Sequence, residues 1–284
     1  MRAGVVGIGE MGLAMAGHMH AKGFDVGCFD VSAERRALAI EKGLKVVGSL
    51  RDLAGQAEVF ILAVATDEQV EAVAIELAET AADGVIIVVT ATVSPHTVTN
   101  LGRRIAAKNK KLVDAPVVYG ASGAREGRLL SLCGGSEEDI ERVRPLLISR
   151  DVESIGALGA GQVAKSCNNL LHWVHCVANF ETLLIAKRFG IDAQRMREVL
   201  LNCPGTNGTL RRWDNTRFTW QEKDMDLTLD LAQRAGLVLP LAGQVDQLIK
   251  TLNAEVVKAL LYGPEAQYLG RSITPLSPAE GGLG

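Results

Sequence analysis

Residues 2–12 read Arg2-Ala3-Gly4-Val5-Val6-Gly7-Ile8-Gly9-Glu10-Met11-Gly12, and residues 25–30 read Asp25-Val26-Gly27-Cys28-Phe29-Asp30. The first stretch is an apolar strand running into a glycine turn. The second is another strand, ending on an acid, and Met11 to Lys22 between them repeats apolar residues at helical spacing. A GxGxxG pattern alone is weak, because glycine punctuates many turns. Here it follows a strand and opens a helix, where small residues let backbone approach a pyrophosphate and the helix N-terminus points N–H groups at it. Gly7, Ile8, Gly9, Glu10, Met11 and Gly12 are therefore expected to bind a dinucleotide. Asp30 stands 18 residues beyond Gly12, where an acid accepts hydrogen bonds from the adenosine ribose and repels a 2′-phosphate. NAD is thus expected ahead of NADP. A solvated aspartate at a strand end is the plain alternative, and Arg35 or Arg36 could reach a 2′-phosphate if the loop curls back.

The same alternation continues outward. Arg2 to Ile8, Asp25 to Phe29, Glu58 to Val64, Val85 to Thr90 and Lys111 to Asp114 read as buried strands, with helical stretches at Met11 to Lys22, Ala33 to Lys42, Val70 to Ala82 and Pro95 to Lys108. A β-α-β-α order predicts an α/β fold, a Rossmann-type doubly wound parallel sheet. The character changes at Gly156-Ala157-Leu158-Gly159-Ala160-Gly161. Gln162 to Phe189 then runs for 28 residues without proline or glycine, far longer than the usual ~11-residue helix. The expected domains are 1–160, which binds the dinucleotide, and an all-helical 161–284 for substrate and oligomerisation. Glu198 to Asn202, Lys223 to Arg234 and Leu241 to Leu261 continue the helices. From Gly263 the chain reads as irregular, and from Ser277 as loosely ordered.

Composition narrows the partners. With 30 basic and 33 acidic residues and no long run of either sign, nothing suggests nucleic acid, so a small molecule is the expected partner. Five cysteines without CxxC spacing argue against a disulfide framework or a thiolate metal cluster and fit a reducing, cytoplasmic setting. The glycine turn comes too early for a signal peptide to precede it, and no apolar run reaches the ~18 residues of a membrane span. His172, His175 and Cys176 share a helix, but no further ligand sits at a diagnostic offset. Helix packing or a pocket wall is the expected role, and no metal is expected.

GIGEMG, DAPVVYGASGAREG (Asp114 to Gly127), GAGQVAKSCNN (Gly159 to Asn169) and KDMDLTLDLA (Lys223 to Ala232) together resemble the β-hydroxyacid dehydrogenases. That group includes 3-hydroxyisobutyrate dehydrogenase and tartronate semialdehyde reductase. The resemblance is collinear from Val5 to Leu241, and implies a Rossmann domain, a long linking helix and a helical domain that assembles a dimer or tetramer. It also implies that Lys165 is the catalytic acid/base and that Asn169 orients the substrate beside it. Lys223 and Asp224 match the family's later Lys-Asp pair, with the lysine near nicotinamide and substrate. Val64, Ala65 and Val70 match the loop that covers the cofactor, and Thr92 the nicotinamide-ribose contact.

The chemistry agrees with this assignment. Hydride addition to a carbonyl leaves an alkoxide that a positioned ammonium stabilises and protonates, worth roughly 10²–10⁴-fold in rate. Lys165 and Asn169, four residues apart, share one helical face. Taken alone, a lysine in a helix's first turns is usually just solvated. In the oxidising direction the lysine must first be neutral, so that rate is expected to rise toward alkaline pH.

One loop departs from the pattern. The family writes DAPVSGG, in which the serine hydroxyl and following amides hold a substrate carboxylate, whereas this chain has Val118 and Tyr119 before Gly120. Val118, Tyr119, Gly120, Asn169 and Lys223 remain the expected substrate contacts. The anion anchor is altered or absent, with Arg125 or Arg128 as possible substitutes and Tyr119, Trp173 or Trp213 as possible walls for a less polar carbonyl compound. The expected activity is interconversion of a small hydroxy compound, a 3-hydroxyacid or a relative, with its carbonyl. The related imine reductases are the rival reading. They typically lack the lysine, as do non-catalytic dinucleotide-binding relatives.

Overall fold

The computed structural model describes residues 1–277 and 279. The chain forms two compact units, Met1–Lys165 and Ser166–Gly284. The first unit runs β1 (Arg2–Val6), α1 (Glu10–Ala21), β2 (Asp25–Phe29), α2 (Ala33–Glu41), β3 (Lys45–Val46), α3 (Leu50–Ala54), β4 (Val59–Leu62) and α4 (Asp67–Thr80). It continues with β5 (Ile86–Val89), α5 (Pro95–Ala106), β6 (Lys111–Asp114), β7 (Val117–Val118), α6 (Gly120–Arg125), β8 (Leu129–Gly134), α7 (Glu137–Val143) and β9 (Ser149–Gly156). The sheet order is β3-β2-β1-β4-β5-β6-β8-β7, with β9 paired to β8. The first six strands are parallel, and β8 runs antiparallel to β6.

Alternation along the central strands explains why helices cover both faces. In β4, Val59 and Ile61 enter one hydrophobic cluster with α1, while Phe60 and Leu62 enter another with α3, α4 and α5. All four are fully buried, each worth about 1.5–3 kcal/mol of transfer free energy. A strand apolar on both faces is stable only between two layers.

The five expected strands are present, and β3, β7, β8 and β9 join them. β3 and β7 are two residues long, too short to show a period, and β9 is largely exposed and polar. α4 begins at Asp67, three residues before the expected Val70. Thr66 is its N-cap, with Oγ1 accepting from the Gln69 N–H while Gln69 Oε1 accepts from the Ala65 N–H. Reading by apolar period alone misses such a cap.

The long helix α8 (Ala160–Arg188) starts at the division read from the sequence, and the boundary between the compact units falls in its second turn. The second unit adds α9 (Ala193–Leu200), α10 (Gly208–Arg211), α11 (Gln221–Arg234), α12 (Pro240–Ile249), α13 (Ala254–Tyr262) and a hairpin of β10 (Ala266–Tyr268) with β11 (Arg271–Ile273). Its core gathers Trp173, Phe180, Trp213 and Met225, with the rings of Phe180 and Trp213 edge to face at 6.2 Å. Two expectations fail here. Leu241 to Leu261 is two helices, because Asn253 caps α13 by accepting from the Glu255 and Val256 N–H groups. The stretch after Gly263 is ordered as the β10–β11 hairpin, held partly by Tyr268 on the Phe180 ring at 5.2 Å. The expected loose order from Ser277 onward falls mostly outside the described residues.

Candidate functional site

In the first unit the expected residues collect at the carboxyl ends of adjacent parallel strands, where open α/β sheets bind ligands. The ends are level: Gly7 N–H donates to Phe29 O, Ala63 N–H to Val6 O, Thr90 N–H to Leu62 O and Ala115 N–H to Val89 O. The Gly7–Gly12 turn, Asp30, Val64 and Ala65, and Thr92 therefore leave the sheet along one edge, while the Val118–Gly120 loop follows β7, which pairs antiparallel with β8.

The glycine turn has a distinct reason at each position. Gly7 adopts φ +85°, and a Cβ there would lie 2.8 Å from Ala63 O. At Gly12 a Cβ would run into Gly7 O, so close packing of α1 on β1 requires glycine. Gly9 is different, since a Cβ there would meet nothing within 4 Å. The protein itself does not need glycine at position 9. A ligand approaching the backbone would, and no side chain caps α1 among the described residues, as none caps α6, whereas Ser32, Ser49, Thr66, Ser94 and Ser136 cap α2, α3, α4, α5 and α7. The open first turn suits a pyrophosphate.

One residue of the turn needs correction, and two more have side chains turned to the protein itself. Ile8 is buried in the core and its N–H is taken by Asp30 Oδ2 at 2.8 Å, so it shapes the turn from beneath. Met11 packs half-buried against the same core. The Glu10 carboxylate pairs with Arg125 of α6.

Asp30 is half-buried. Its Oδ1 also accepts from the Ser32 N–H at 2.9 Å, so each carboxylate oxygen holds one backbone donor. A carboxylate has about four acceptor positions, which leaves capacity for a pair of ribose hydroxyls. Arg36 does curl back, and its Nη1 donates to the carbonyls of Asp30 at 2.6 Å and Val31 at 3.2 Å. These residues fit a dinucleotide.

Val64 is half-buried against the core and Ala65 is exposed, both in the loop after β4. Val70 is not in that loop. It is fully buried on the inner face of α4 and belongs to the core, with no surface left for a cofactor. Thr92 lies half-buried in the loop after β5.

In the altered loop Val118 ends β7, and Tyr119 takes a left-handed conformation, φ 80° and ψ 0°, as the residue before α6. That geometry favours glycine, and Gly120 follows at φ +55°. Neither candidate arginine stands unpaired: Arg125 bonds Glu10 and Arg128 bonds Glu126. The hydroxyl of Ser122 is likewise committed, to Glu126 Oε1 at 2.8 Å.

Lys165 is half-buried in the second turn of α8. The helix start is held by Asp114, fully buried at the end of β6, whose Oδ1 accepts from the Gly159 N–H at 2.7 Å and Oδ2 from the Gln162 N–H at 2.8 Å. Burial pushes this carboxyl up to about 6, against the lowering effect of those backbone donors. Sequence reasoning missed this anchor, although Asp114 opens the DAPVVYGASGAREG motif.

In the second unit Asn169, one turn beyond Lys165, is buried and its Oδ1 accepts from Asn168 Nδ2 at 3.2 Å. Lys223 and Asp224 lie half-buried in the first turn of α11. Lys223 Nζ stands 5.8 Å from the centre of the Trp220 ring. Asp224 Oδ2 accepts from Trp173 Nε1 at 3.1 Å, so its charge steadies the core. Trp173 and Trp213 are core residues, 3% and 1% exposed, and are not pocket walls. His172 bonds Thr209 Oγ1 at 2.9 Å, a packing contact. Among the described residues no group of three or more histidine, cysteine, aspartate or glutamate side chains could hold a metal ion. No helix among them is long and apolar enough to cross a membrane.

Comparison with known proteins identifies the lineage. Residues 2–156 match the NAD binding domain of 6-phosphogluconate dehydrogenase, and residues 159–260 match the NAD-binding domain of NADP-dependent 3-hydroxyisobutyrate dehydrogenase. The 3-hydroxyisobutyrate dehydrogenase of Pseudomonas aeruginosa is 31% identical over 214 residues, 74% of this chain and 72% of the relative. The chain belongs to the β-hydroxyacid dehydrogenase family. As a β-hydroxyacid dehydrogenase it is an NAD(P)-dependent oxidoreductase acting on CH–OH groups. In fold it is similar to a 3-hydroxyisobutyrate dehydrogenase from Mycobacterium tuberculosis (TM-score 0.82, 24% identity, covering 88% of this chain and 94% of that one). It is also similar in fold to an imine reductase from Streptomyces aurantiacus (TM-score 0.66, 17% identity, covering 88% and 94%).

Proposed function

We propose that this β-hydroxyacid dehydrogenase interconverts a small hydroxy compound and its carbonyl, prefers NAD, and uses Lys165 as general acid and base. The observation that carries this reading is Lys165, half-buried one turn past the Asp114-anchored start of α8 and one turn before the buried Asn169. The dinucleotide, when bound, supplies or accepts the hydride. As the carbonyl carbon takes the hydride, Lys165 Nζ gives its proton to the oxygen; in oxidation the neutral amine takes the hydroxyl proton back. Asn169, one turn on along the same helix, orients that oxygen. The preference for NAD rests on Asp30, whose negative charge opposes a 2′-phosphate.

The substrate is a relative of the 3-hydroxyacids, less polar at the end that meets the Val118–Gly120 loop. Val118 offers no donor there, the hydroxyl of the neighbouring Ser122 is given to Glu126, and Arg125 and Arg128 each share their charge with a glutamate. An imine reductase would need no proton-donating lysine at this position, and Lys165 favours the carbonyl reading. We place the protein in the cytoplasm as a homodimer or homotetramer. The free cysteines support the first assignment, and exposed Leu237, Val238 and Leu241 on the second unit support the second.

The test is a screen of the purified protein with NADH and NADPH against carboxylated aldehydes, ketones and imines, followed by absorbance of the reduced nicotinamide. Turnover of carbonyl compounds with NADH is expected. Turnover of imines alone would overturn the reading. Val118→Ser is expected to raise kcat/KM on three- and four-carbon hydroxyacids by restoring a donor.

A further inference from the structure

Gln162 lies in the first turn of α8, three residues before Lys165, and is fully buried. Its side-chain amide makes two bonds to one short loop: Nε2 donates to the Ala91 carbonyl at 2.9 Å, and Oε1 accepts from the Val93 N–H at 3.0 Å. These partners flank Thr92. A backbone N–H can only donate and a carbonyl can only accept, so they dictate which end of the amide faces which. The backbone of the same residue is tied the other way, its N–H donating to Asp114 Oδ2. Gly134 and Gly161 leave room for that carboxylate, since a Cβ on Gly161 would stand 2.7 Å from Asp114 Oδ2 and one on Gly134 would run into Oδ1. The first turn of α8 is therefore clasped to the end of β6 by a carboxylate and to the loop after β5 by an amide.

We infer that Gln162 is a positioning residue for hydride transfer, which holds the loop carrying Thr92 in register with the helical turn carrying Lys165. This rests on the reading of Lys165 as acid and base and of Thr92 as the nicotinamide-ribose contact. The reacting carbon must meet the hydride while its oxygen meets the proton, so the two protein segments that set those positions need a common reference. An amide supplies it, because donor and acceptor stand on one rigid plane and match the carbonyl and N–H on either side of a single residue. A carboxylate pairs with Val93 and repels the Ala91 carbonyl, and a hydrocarbon side chain leaves both buried backbone groups unpaired.

The test uses the full chain with Gln162→Met, which keeps the length and loses both bonds, and Gln162→Glu, which keeps the bond from Val93 only. For each variant kcat, KM, dinucleotide Kd by calorimetry, thermal unfolding and the primary isotope effect with deuterated reduced dinucleotide are measured on the best substrate. In folded protein kcat is expected to fall about 10- to 100-fold, the scale of a misplaced reacting pair. KM and Kd should change little, and the isotope effect should grow as hydride transfer limits turnover. Should Gln162→Met not fold, Gln162→Glu carries the same expectation. A variant with a lower Tm but wild-type kcat and isotope effect overturns the inference, because Gln162 is then only part of the core. Lys165→Ala separates the layers. An inactive Lys165→Ala enzyme beside a fully active Gln162→Met enzyme overturns this inference alone, whereas an active Lys165→Ala enzyme overturns the reading beneath it and this inference with it.

Discussion

In the proposed reaction single residues carry the chemistry, and each makes a separable demand. Replacing Lys165 by alanine is expected to lower kcat by roughly 10²–10⁴-fold, with little change in dinucleotide Kd, because the phosphate turn lies in another segment. Lys165→Arg should not rescue it, since a guanidinium stays protonated and cannot act as the base. Steady-state kinetics beside calorimetry check both. Asp30→Asn keeps an acceptor for the Ile8 and Ser32 N–H groups but removes the charge, so the preference for NAD over NADP should narrow by roughly tenfold, about 1.4 kcal/mol. A wild-type protein that binds NADPH tenfold more tightly than NADH by titration contradicts the assignment of Asp30. At Tyr119 the backbone itself makes the prediction. With φ at 80°, Tyr119→Gly should be more stable than Tyr119→Ala by about 1 kcal/mol, the reverse of the usual order, as measured by denaturant unfolding. The strand-turn-helix around the glycines and the placing of Lys165 and Asn169 one turn apart on one helix were legible in the sequence, because spacing along one such unit or one helix face is local. The status of Val70 was not, since a buried valine and a loop valine look alike until the cap at Thr66 moves the helix start.

At the scale of elements, the start of α8 depends on a carboxylate 45 residues away in sequence. Burial holds Asp114 protonated up to about 6, above the ordinary aspartate range. Its contribution to stability is therefore full below about 4 and is lost as the pH rises through 6, because the folded state binds the proton more tightly than the unfolded chain. The stability difference between wild type and Asp114→Asn should shift in favour of the wild type by on the order of 2–3 kcal/mol as the pH falls from 7 to 4. Urea unfolding at several pH values measures it, and a flat difference would show that Asp114 is ionised throughout. Elements with a long apolar period were readable: α1, α5 and α8 lie within two residues of their expected bounds. Those defined by a cap or by pairing were not. Asn253 splits α12 from α13 with one side chain, and β7 and β9 exist because β8 offers them an edge.

At the scale of the whole molecule, Leu237, Val238 and Leu241 are 59%, 86% and 59% exposed, an apolar surface that a monomer would leave in water. Sedimentation velocity should show a dimer or tetramer, and a monomer at micromolar concentration would remove that proposal. The sequence by itself determined the doubly wound sheet, the long helix, the glycine turn between β1 and α1 and the family, because all of these are written in local periodicity and in short motifs kept in order along the chain. The tertiary structure alone decided which of those residues face a ligand and which face the core. Ile8, Val70, Trp173 and Trp213 are of residue types that line pockets and cores equally well, and only the burial of each separates the two roles. It also decided where charges are spent. Arg125 and Asp224 look unpartnered in a string of letters, but folding brings partners to them from Glu10 and Trp173.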